Sequence, residues 1–151
     1  TELVKEVSNG KLIACVKGGY DFVDVRDVVD GIISACEKDN NGECYILSNK
    51  YITIKELSDL ICDVKGRKRI KLVLPIGLAK LIAPIFEMYY NLKKQTPLFT
   101  KYSLYTLSSN SNFSNKKAKK ELGFKNRNMK NTIEDTIEWL NKQKIQCRKK
   151  E

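Results

Sequence analysis

Histidine is absent from the 151-residue sequence, tryptophan occurs once, methionine twice and proline three times. Without an imidazole, histidine-based acid–base catalysis and histidine-ligated metal are both excluded. The five cysteines are Cys15, Cys36, Cys44, Cys62 and Cys147. Their odd number, wide spacing and lack of a Cys-x-x-Cys pair argue against a disulfide framework and against zinc. Reduced thiols in a cytoplasmic protein are the expectation, and no carboxylate cluster suggests another metal. A phosphate-cradling loop is missing too. The eight glycines include the adjacent pair Gly18-Gly19, but no G-x-G-x-x-G and no Gly-Lys-Ser/Thr, so nothing is expected to hold a dinucleotide pyrophosphate. The most apolar stretch, residues 72–86, is interrupted by Lys80 and Pro84. It is shorter than the ~20 residues a bilayer-spanning helix needs. It reads as a buried helix, and no membrane partner is expected.

What is present points to a folded domain. Hydrophobic residues make up 42% and charged residues 30% of the chain, a globular balance rather than a disordered one. A chain of this length buries roughly 70% of the surface of its unfolded form, and with no repeat and no linker it reads as one domain, 1–151. Net charge is +10, with 28 Lys and Arg against 18 Asp and Glu. The excess gathers in Lys116-Lys117-Ala118-Lys119-Lys120 and Arg148-Lys149-Lys150. Such runs read either as a nucleic-acid or phosphate-binding surface or as a solvated helix face with a frayed tail. Lysine dominates and no aromatics are interleaved for base stacking, which favours the solvated face. The amphipathic, charged start Thr1-Glu2-Leu3-Val4-Lys5-Glu6 does not resemble a signal peptide.

Along the chain, residues 1–8 predict a short helix closed by Ser8-Asn9-Gly10. Phe22-Val23-Asp24-Val25 reads as a strand, and Asp27 as the N-cap of a helix with Val28, Ile32, Ala35 and Cys36 on its apolar stripe. Residues 43–47 read as a second strand. Thr53 and Glu56 form a capping box for a helix with Leu57, Leu60, Ile61 and Val64 on one face, stopped by Gly66. A strand is expected at 70–74, then a long apolar helix opened by Pro75, running to about Lys93, with a kink at Pro84. Residues 100–107 are assigned to a helix, Asn115 or Ser114 caps a short helix ending at Leu122-Gly123, and Thr132 and Asp135 begin the last. Its inward side chains are Ile133, Ile137 and Leu140.

Chemistry is harder to find. Tyr-x-x-x-Lys places an ammonium one helical turn from a phenol, where it lowers the phenol's pKa for proton transfer. The spacing occurs at Tyr51/Lys55, Tyr89/Lys93 and Tyr90/Lys94. The first straddles a helix start, and the other two have no upstream serine to orient a carbonyl. Chance is the better account in a chain rich in both residue types, with Tyr89 and Tyr90 in packing roles. Asp21 and Asp24 stand as possible pocket residues.

The stretch Gly18-Gly19-Tyr20-Asp21-Phe22-Val23-Asp24-Val25-Arg26-Asp27-Val28-Val29 resembles a segment that follows the nucleotide-binding core in extended short-chain dehydrogenases/reductases, the NAD-dependent epimerase/dehydratase family. Gly42-Glu43-Cys44-Tyr45-Ile46-Leu47-Ser48 is similar to that family's next strand and Thr53–Gly66 to the helix after it. Phe113–Phe124 is similar to its late Lys-Ala…Leu-Gly-Phe signature, and Thr136-x-x-Trp139-Leu140 to its final helix. The resemblance spans most of residues 10–140.

It implies an α/β fold: a helix-rich α+β fragment from the C-terminal part of a Rossmann-type NAD(P)-binding protein, with a few short strands and five to six helices. The glycine loop and the catalytic serine, tyrosine and lysine would lie before Thr1. Residues 1–151 would form the substrate-binding region that closes over a small-molecule substrate, inactive alone and partnered with that N-terminal domain. NAD(P) would serve the whole enzyme, with no cofactor expected on this chain alone. Members acting on UDP-sugars carry an arginine at the position of Tyr20 and another within the stretch matching Ser103–Leu107. Both are lacking here, so a diphosphate would lose bidentate contacts. The resemblance is to the dihydroflavonol-reductase-like branch, which reduces a ketone. The substrate-contact candidates are Lys17, Tyr20, Phe22, Tyr89 and Tyr105. No catalytic, cofactor-binding or metal residue is carried over. The alternatives are a basic nucleic-acid-binding module and a stand-alone interaction module, which would pair as a homodimer through an exposed apolar face.

Overall fold

The computed structural model describes residues 2–38, 42–92, 101–109 and 112–148. In chain order the elements are α1 (Glu2–Ser8), β1 (Ala14–Val16), β2 (Gly19–Phe22), α2 (Val25–Cys36), β3 (Lys50–Thr53), α3 (Ile54–Val64), β4 (Leu72–Leu74), α4 (Ile76–Leu92), α5 (Lys101–Ser108), α6 (Lys116–Leu122) and α7 (Met129–Arg148). The expected α/β class is observed, with seven helices among the described residues where five to six are expected.

Among the described residues, two small sheets organise the fold. β1 pairs in parallel with β4, Ala14 opposite Leu72 and Val16 opposite Leu74, while β2 pairs antiparallel with β3, Gly19 opposite Thr53. Parallel strands need a long crossover between them. Here it includes α3, which packs on β1 and donates Ile61 and Cys62 to a core cluster with Val4, Val7, Leu57, Ile133 and Ile137. A second cluster joins Cys15 and Val16 of β1 to Ile54, Ala79, Ala83, Leu104 and Leu107. A third, smaller one holds Ala118, Leu122 and Phe124 beneath Ala35 of α2 and Leu47.

Local chemistry sets the element boundaries. Thr53 and Glu56 form the expected capping box: Thr53 Oγ1 accepts the Glu56 N–H at 3.1 Å, and the Glu56 carboxylate accepts the Thr53 N–H at 2.9 Å. Together they satisfy two of the free amides at the start of α3. Past its other end, Gly66 turns the chain at φ +62. Gly123, at φ +68, closes α6 in the left-handed region that favours glycine. α4 begins after Pro75, as expected, and stays helical through Pro84.

Several expectations are corrected. The strand expected at 22–25 lies earlier, at Gly19–Phe22, and the N-cap of α2 is Asp24 rather than Asp27. Asp27 lies within the first turn of the helix and is buried. Its carboxylate accepts the Arg127 N–H at 2.8 Å and pairs with Arg127 Nε at 3.2 Å. Of the stripe expected to face inward on α2, Ile32 and Cys36 are exposed. The helix buries Asp27 and Gly31 instead, where a Cβ would meet Leu47 Cδ2 at 2.8 Å. Residues 43–47 form no strand. They are held by side chains, with Tyr45 Oη donating to Glu121 Oε2 at 2.9 Å and Lys117 Nζ paired with Glu43 and donating to the Cys44 carbonyl at 3.2 Å. α7 starts at Met129, a turn ahead of the expected start. Asn115 does stand at the N-cap of α6, but its side chain reaches the Ser48 carbonyl at 2.6 Å rather than the helix.

Candidate substrate site

The carboxyl ends of β1 and β4 lie side by side, where the Lys17 N–H donates to the Leu74 carbonyl at 2.9 Å. In open α/β sheets this is the end of the strands at which ligands bind. Lys17 follows β1 directly, Pro75 and α4 follow β4, and β2 leaves from Gly19. The Lys17 side chain is exposed and belongs to none of the three core clusters.

The glycine pair makes the close approach possible. Gly18 has φ +128, and a Cβ on it would lie 2.5 Å from the Leu107 carbonyl oxygen; one on Gly19 would lie 2.3 Å from the Ile52 oxygen. Both glycines are therefore pressed against this chain's own backbone.

Tyr20, among the substrate-contact candidates, follows the glycine pair on β2. Its hydroxyl donates to the Ser103 carbonyl of α5 at 3.1 Å and lies 3.3 Å from Thr106 Oγ1. Its ring packs on the β1–α4–α5 cluster and meets Phe22 edge-on, with centroids 5.9 Å apart. The two positions where the resemblance expects arginines, Tyr20 and Ser103–Leu107, are thus in direct contact. A neutral hydrogen bond joins them in place of two guanidinium groups.

The remaining candidates separate. Phe22 touches Tyr20 but packs into the α1–α3–α7 cluster. Tyr105 is two-thirds exposed on the outside of α5, away from Tyr20. Tyr89 is on α4, and its side chain lies outside the described residues. Of the Tyr-x-x-x-Lys pairs, Tyr51 is on β3 while Lys55 is paired with Asp59 along α3. Lys93 and Lys94 lie outside the described residues. No group of His, Cys, Asp and Glu among the described residues could hold a metal ion.

Sequence reasoning missed an ionic cluster beside β2 that is built on two buried carboxylates, Asp24 and Asp27. Asp24 is 3% exposed. Its carboxylate accepts from the Arg26 amide at 2.9 Å, from the Arg26 guanidinium at 2.9 and 2.7 Å, and from Thr132 Oγ1 at 2.7 Å. Arg26 also pairs with Asp135 at 2.7 Å, and Arg127 reaches Asp24, Asp27 and Asp30. The Arg26 hydrogen bonds hold the Asp24 carboxyl well below the usual carboxylate range, against the opposing effect of burial, and Asp24 in turn raises the Arg26 guanidinium. The cluster fastens α2 to α7 and to the turn between α6 and α7. Asp21 belongs beside it: its Oδ1 accepts the Asn49 N–H at 2.9 Å, ordering the approach to β3. The signal lay in Asp24-x-Arg26 together with Arg127 and Asp135, but pairings more than 100 positions apart carry no periodicity to find.

No family model matches the sequence. Sterol demethylase protein B of Methylococcus capsulatus is 26% identical over 141 residues, which is 91% of this chain and 42% of that protein. The crystal structure of gox2253 superposes with a TM-score of 0.73 at 27% identity, covering 94% of this chain and 43% of that one. A nucleoside-diphosphate-sugar epimerase from Pseudomonas aeruginosa gives a TM-score of 0.71 at 18% identity, covering 94% and 42%. The UDP-glucose 4-epimerase of Thermotoga maritima, solved with UDP-glucose, gives 0.61 at 19%, covering 94% and 38%. The chain therefore spans about two-fifths of the length of the proteins it matches, and its α/β fold is that of part of these epimerase structures.

Proposed function

We propose that this chain is the substrate-closing part of an NAD(P)-dependent enzyme of the extended short-chain dehydrogenase/reductase type. It works against a dinucleotide-binding domain supplied from outside residues 1–151 and is inactive alone. One observation carries the reading: the parallel pair β1–β4 is open on apolar surface. Ile13 is 83%, Leu72 52% and Val73 39% exposed, whereas parallel strands are ordinarily covered on both faces. α2 presents Val25, Val29, Ile32 and Ile33, all about half exposed or more, at the i, i+4, i+7, i+8 spacing of a helix made to be covered. Further strands of a Rossmann sheet, with their helices, would cover both surfaces. The share of each relative that this chain spans leaves room for such a domain.

The substrate of this reading is a small carbonyl or hydroxyl compound less charged than a nucleotide sugar, as in the dihydroflavonol-reductase-like branch. Tyr20 and Ser103 put a neutral hydrogen bond where a diphosphate needs cations, and the adjoining α4 is apolar. The sterol-related name of the Methylococcus relative agrees with an apolar substrate. The NAD(P) cofactor supplies hydride chemistry when bound to the other domain. Residues here orient the substrate, with Tyr20 holding α5 in place at the carboxyl ends of β1 and β4.

Calorimetric titration of the 151-residue chain with NADPH and NADH at physiological salt tests the division of labour. No saturable binding at millimolar cofactor is expected. Tight binding of either would place a cofactor site inside this chain and end the reading.

A further inference from the structure

The outer side of α4 is apolar and faces water, contrary to the buried helix expected of residues 72–86. Ala79 and Ala83 are buried in the β1–α5 cluster, so the helix has a defined inner side. On the other side Leu78 is 46%, Leu81 74% and Met88 64% exposed, at the i, i+3, i+10 positions of one stripe. α4 carries only two charged residues, Lys80 and Glu87. α5 packs beside it and repeats the arrangement. Leu104 and Leu107 are buried in the same cluster, while Tyr102 and Tyr105 are 76% and 67% exposed. Two adjacent helices thus turn leucine, methionine and tyrosine side chains outward. Apolar surface gathered in this way marks an interaction face.

The rest of a Rossmann sheet does not account for this face. That domain is assigned to α2 and the open side of β1–β4, and α2 packs with α6 in a different cluster. A bilayer-crossing role is also set aside: among the described residues no helix is long and apolar enough to cross a membrane. A helix with one face in a protein core and the other presenting Leu and Met, flanked by outward tyrosines, matches a segment that lies in the lipid interface. Charge selects the kind of surface. The chain carries +10, which repels a second copy and attracts anionic headgroups. Exposed Lys17 stands at the end of β1 beside the start of α4 and exposed Lys80 lies on α4, and neither has an ion pair among the described residues.

We propose that the outer face of α4, with Tyr102 and Tyr105 of α5, seats this protein on an anionic lipid surface as a peripheral, interfacial contact. This departs from the expectation of no membrane partner, and it rests on the proposed function in giving the other domain to α2 and the β1–β4 pair. Leu78, Leu81 and Met88 enter the headgroup–acyl boundary, the tyrosines sit at headgroup level, and the lysines hold lipid phosphates and carboxylates.

The test is flotation of the full 151-residue chain with phosphatidylcholine vesicles, with and without phosphatidylserine. Co-flotation with the phosphatidylserine vesicles is expected, weakening as salt is raised. Leu81→Glu with Met88→Glu should lower partitioning by about tenfold or more, the loss for withdrawing two such side chains from an apolar phase. The control pair Val29→Glu and Ile33→Glu on α2 should float as the parent does. Tyr102→Ser with Tyr105→Ser weakens binding without adding charge and serves if the glutamate pair unfolds the chain. The proposal is overturned by absence of flotation at low salt, or by flotation that neither the α4 nor the α5 variants change. It is equally overturned if light scattering finds a dimer that the α4 variants dissociate, since the face then covers a second copy.

Discussion

The Thr132 hydroxyl donates to Asp24 Oδ2 at 2.7 Å, joining the N-cap of α2 to the first turn of α7 across 108 positions. The same carboxylate caps α2 and binds the Arg26 guanidinium, so one buried group satisfies three others. Asp24→Asn should destabilise the chain by about 2 kcal/mol, the range for losing a charge-assisted bond and weakening a cap, and Thr132→Val by about 1 kcal/mol. Urea unfolding at neutral pH checks both. The folded carboxyl titrates below its unfolded value, chiefly through Arg26. Its contribution is therefore complete above the ordinary carboxylate pKa of about 4 and declines as pH falls below that. The gap between the parent and Asp24→Asn should narrow at pH 3.

Tyr20 makes a smaller, more local contribution. Tyr20→Phe removes the donor to Ser103 and keeps the ring against Phe22. A cost of about 1 kcal/mol is expected, the net worth of one hydrogen bond, with the far-ultraviolet circular dichroism spectrum unchanged. A loss of several kcal/mol would mean that Tyr20 organises α5 more widely than these contacts indicate.

Gly18 is where backbone geometry admits no substitute. At φ +128 an L side chain is strained, and the added methyl would lie 2.5 Å from Leu107 O. Gly18→Ala should cost more than about 2 kcal/mol, from left-handed strain plus displacement of α5. A thermal melt in which Gly18→Ala matches the parent would show that α5 can retreat freely from β2.

How much could be read beforehand depended on whether the cause was local. The capping box at Thr53–Glu56, the start of α4 after Pro75 and the stop at Gly123 are decided by a few neighbouring residues, and all three are seen. Asp24 and Asp27 are equally good caps of α2 by sequence, and the cap is Asp24. Arg127, 100 positions away, is what draws Asp27 into the core. The apolar faces of α2 and α4 misled for a different reason. Periodicity reports that a stripe is to be covered, not that this chain covers it, and Ile32 and Leu81 face outward. Tyr20 is a substrate-contact candidate only through the resemblance, and its bond to Ser103, 83 positions on, has no local signal in the sequence.

The thiols report how firmly the β1–β4 pair is closed. Cys15 is fully buried and Cys62 3% exposed, with Cys15 Sγ 3.5 Å from Ser58 Oγ. Burial pushes both thiols up from their ordinary value. Cys36 and Cys44 are exposed and unbridged. Since the thiolate is the reactive species, buried high-pKa thiols are doubly protected. With iodoacetamide at pH 8 and peptide mass spectrometry, Cys36 and Cys44 should alkylate quickly, while Cys15 and Cys62 should wait for unfolding in urea. The comparison between the two buried thiols is the informative one. Cys62 lies on α3 among α1 and α7, whereas Cys15 lies on a strand with a single ladder partner among the described residues. If Cys15 labels ahead of Cys62 without denaturant, β1 opens as a separate, weaker unit, as expected under the proposed function, in which the rest of its sheet is supplied from elsewhere. Equal protection would show that α3 alone holds β1 shut.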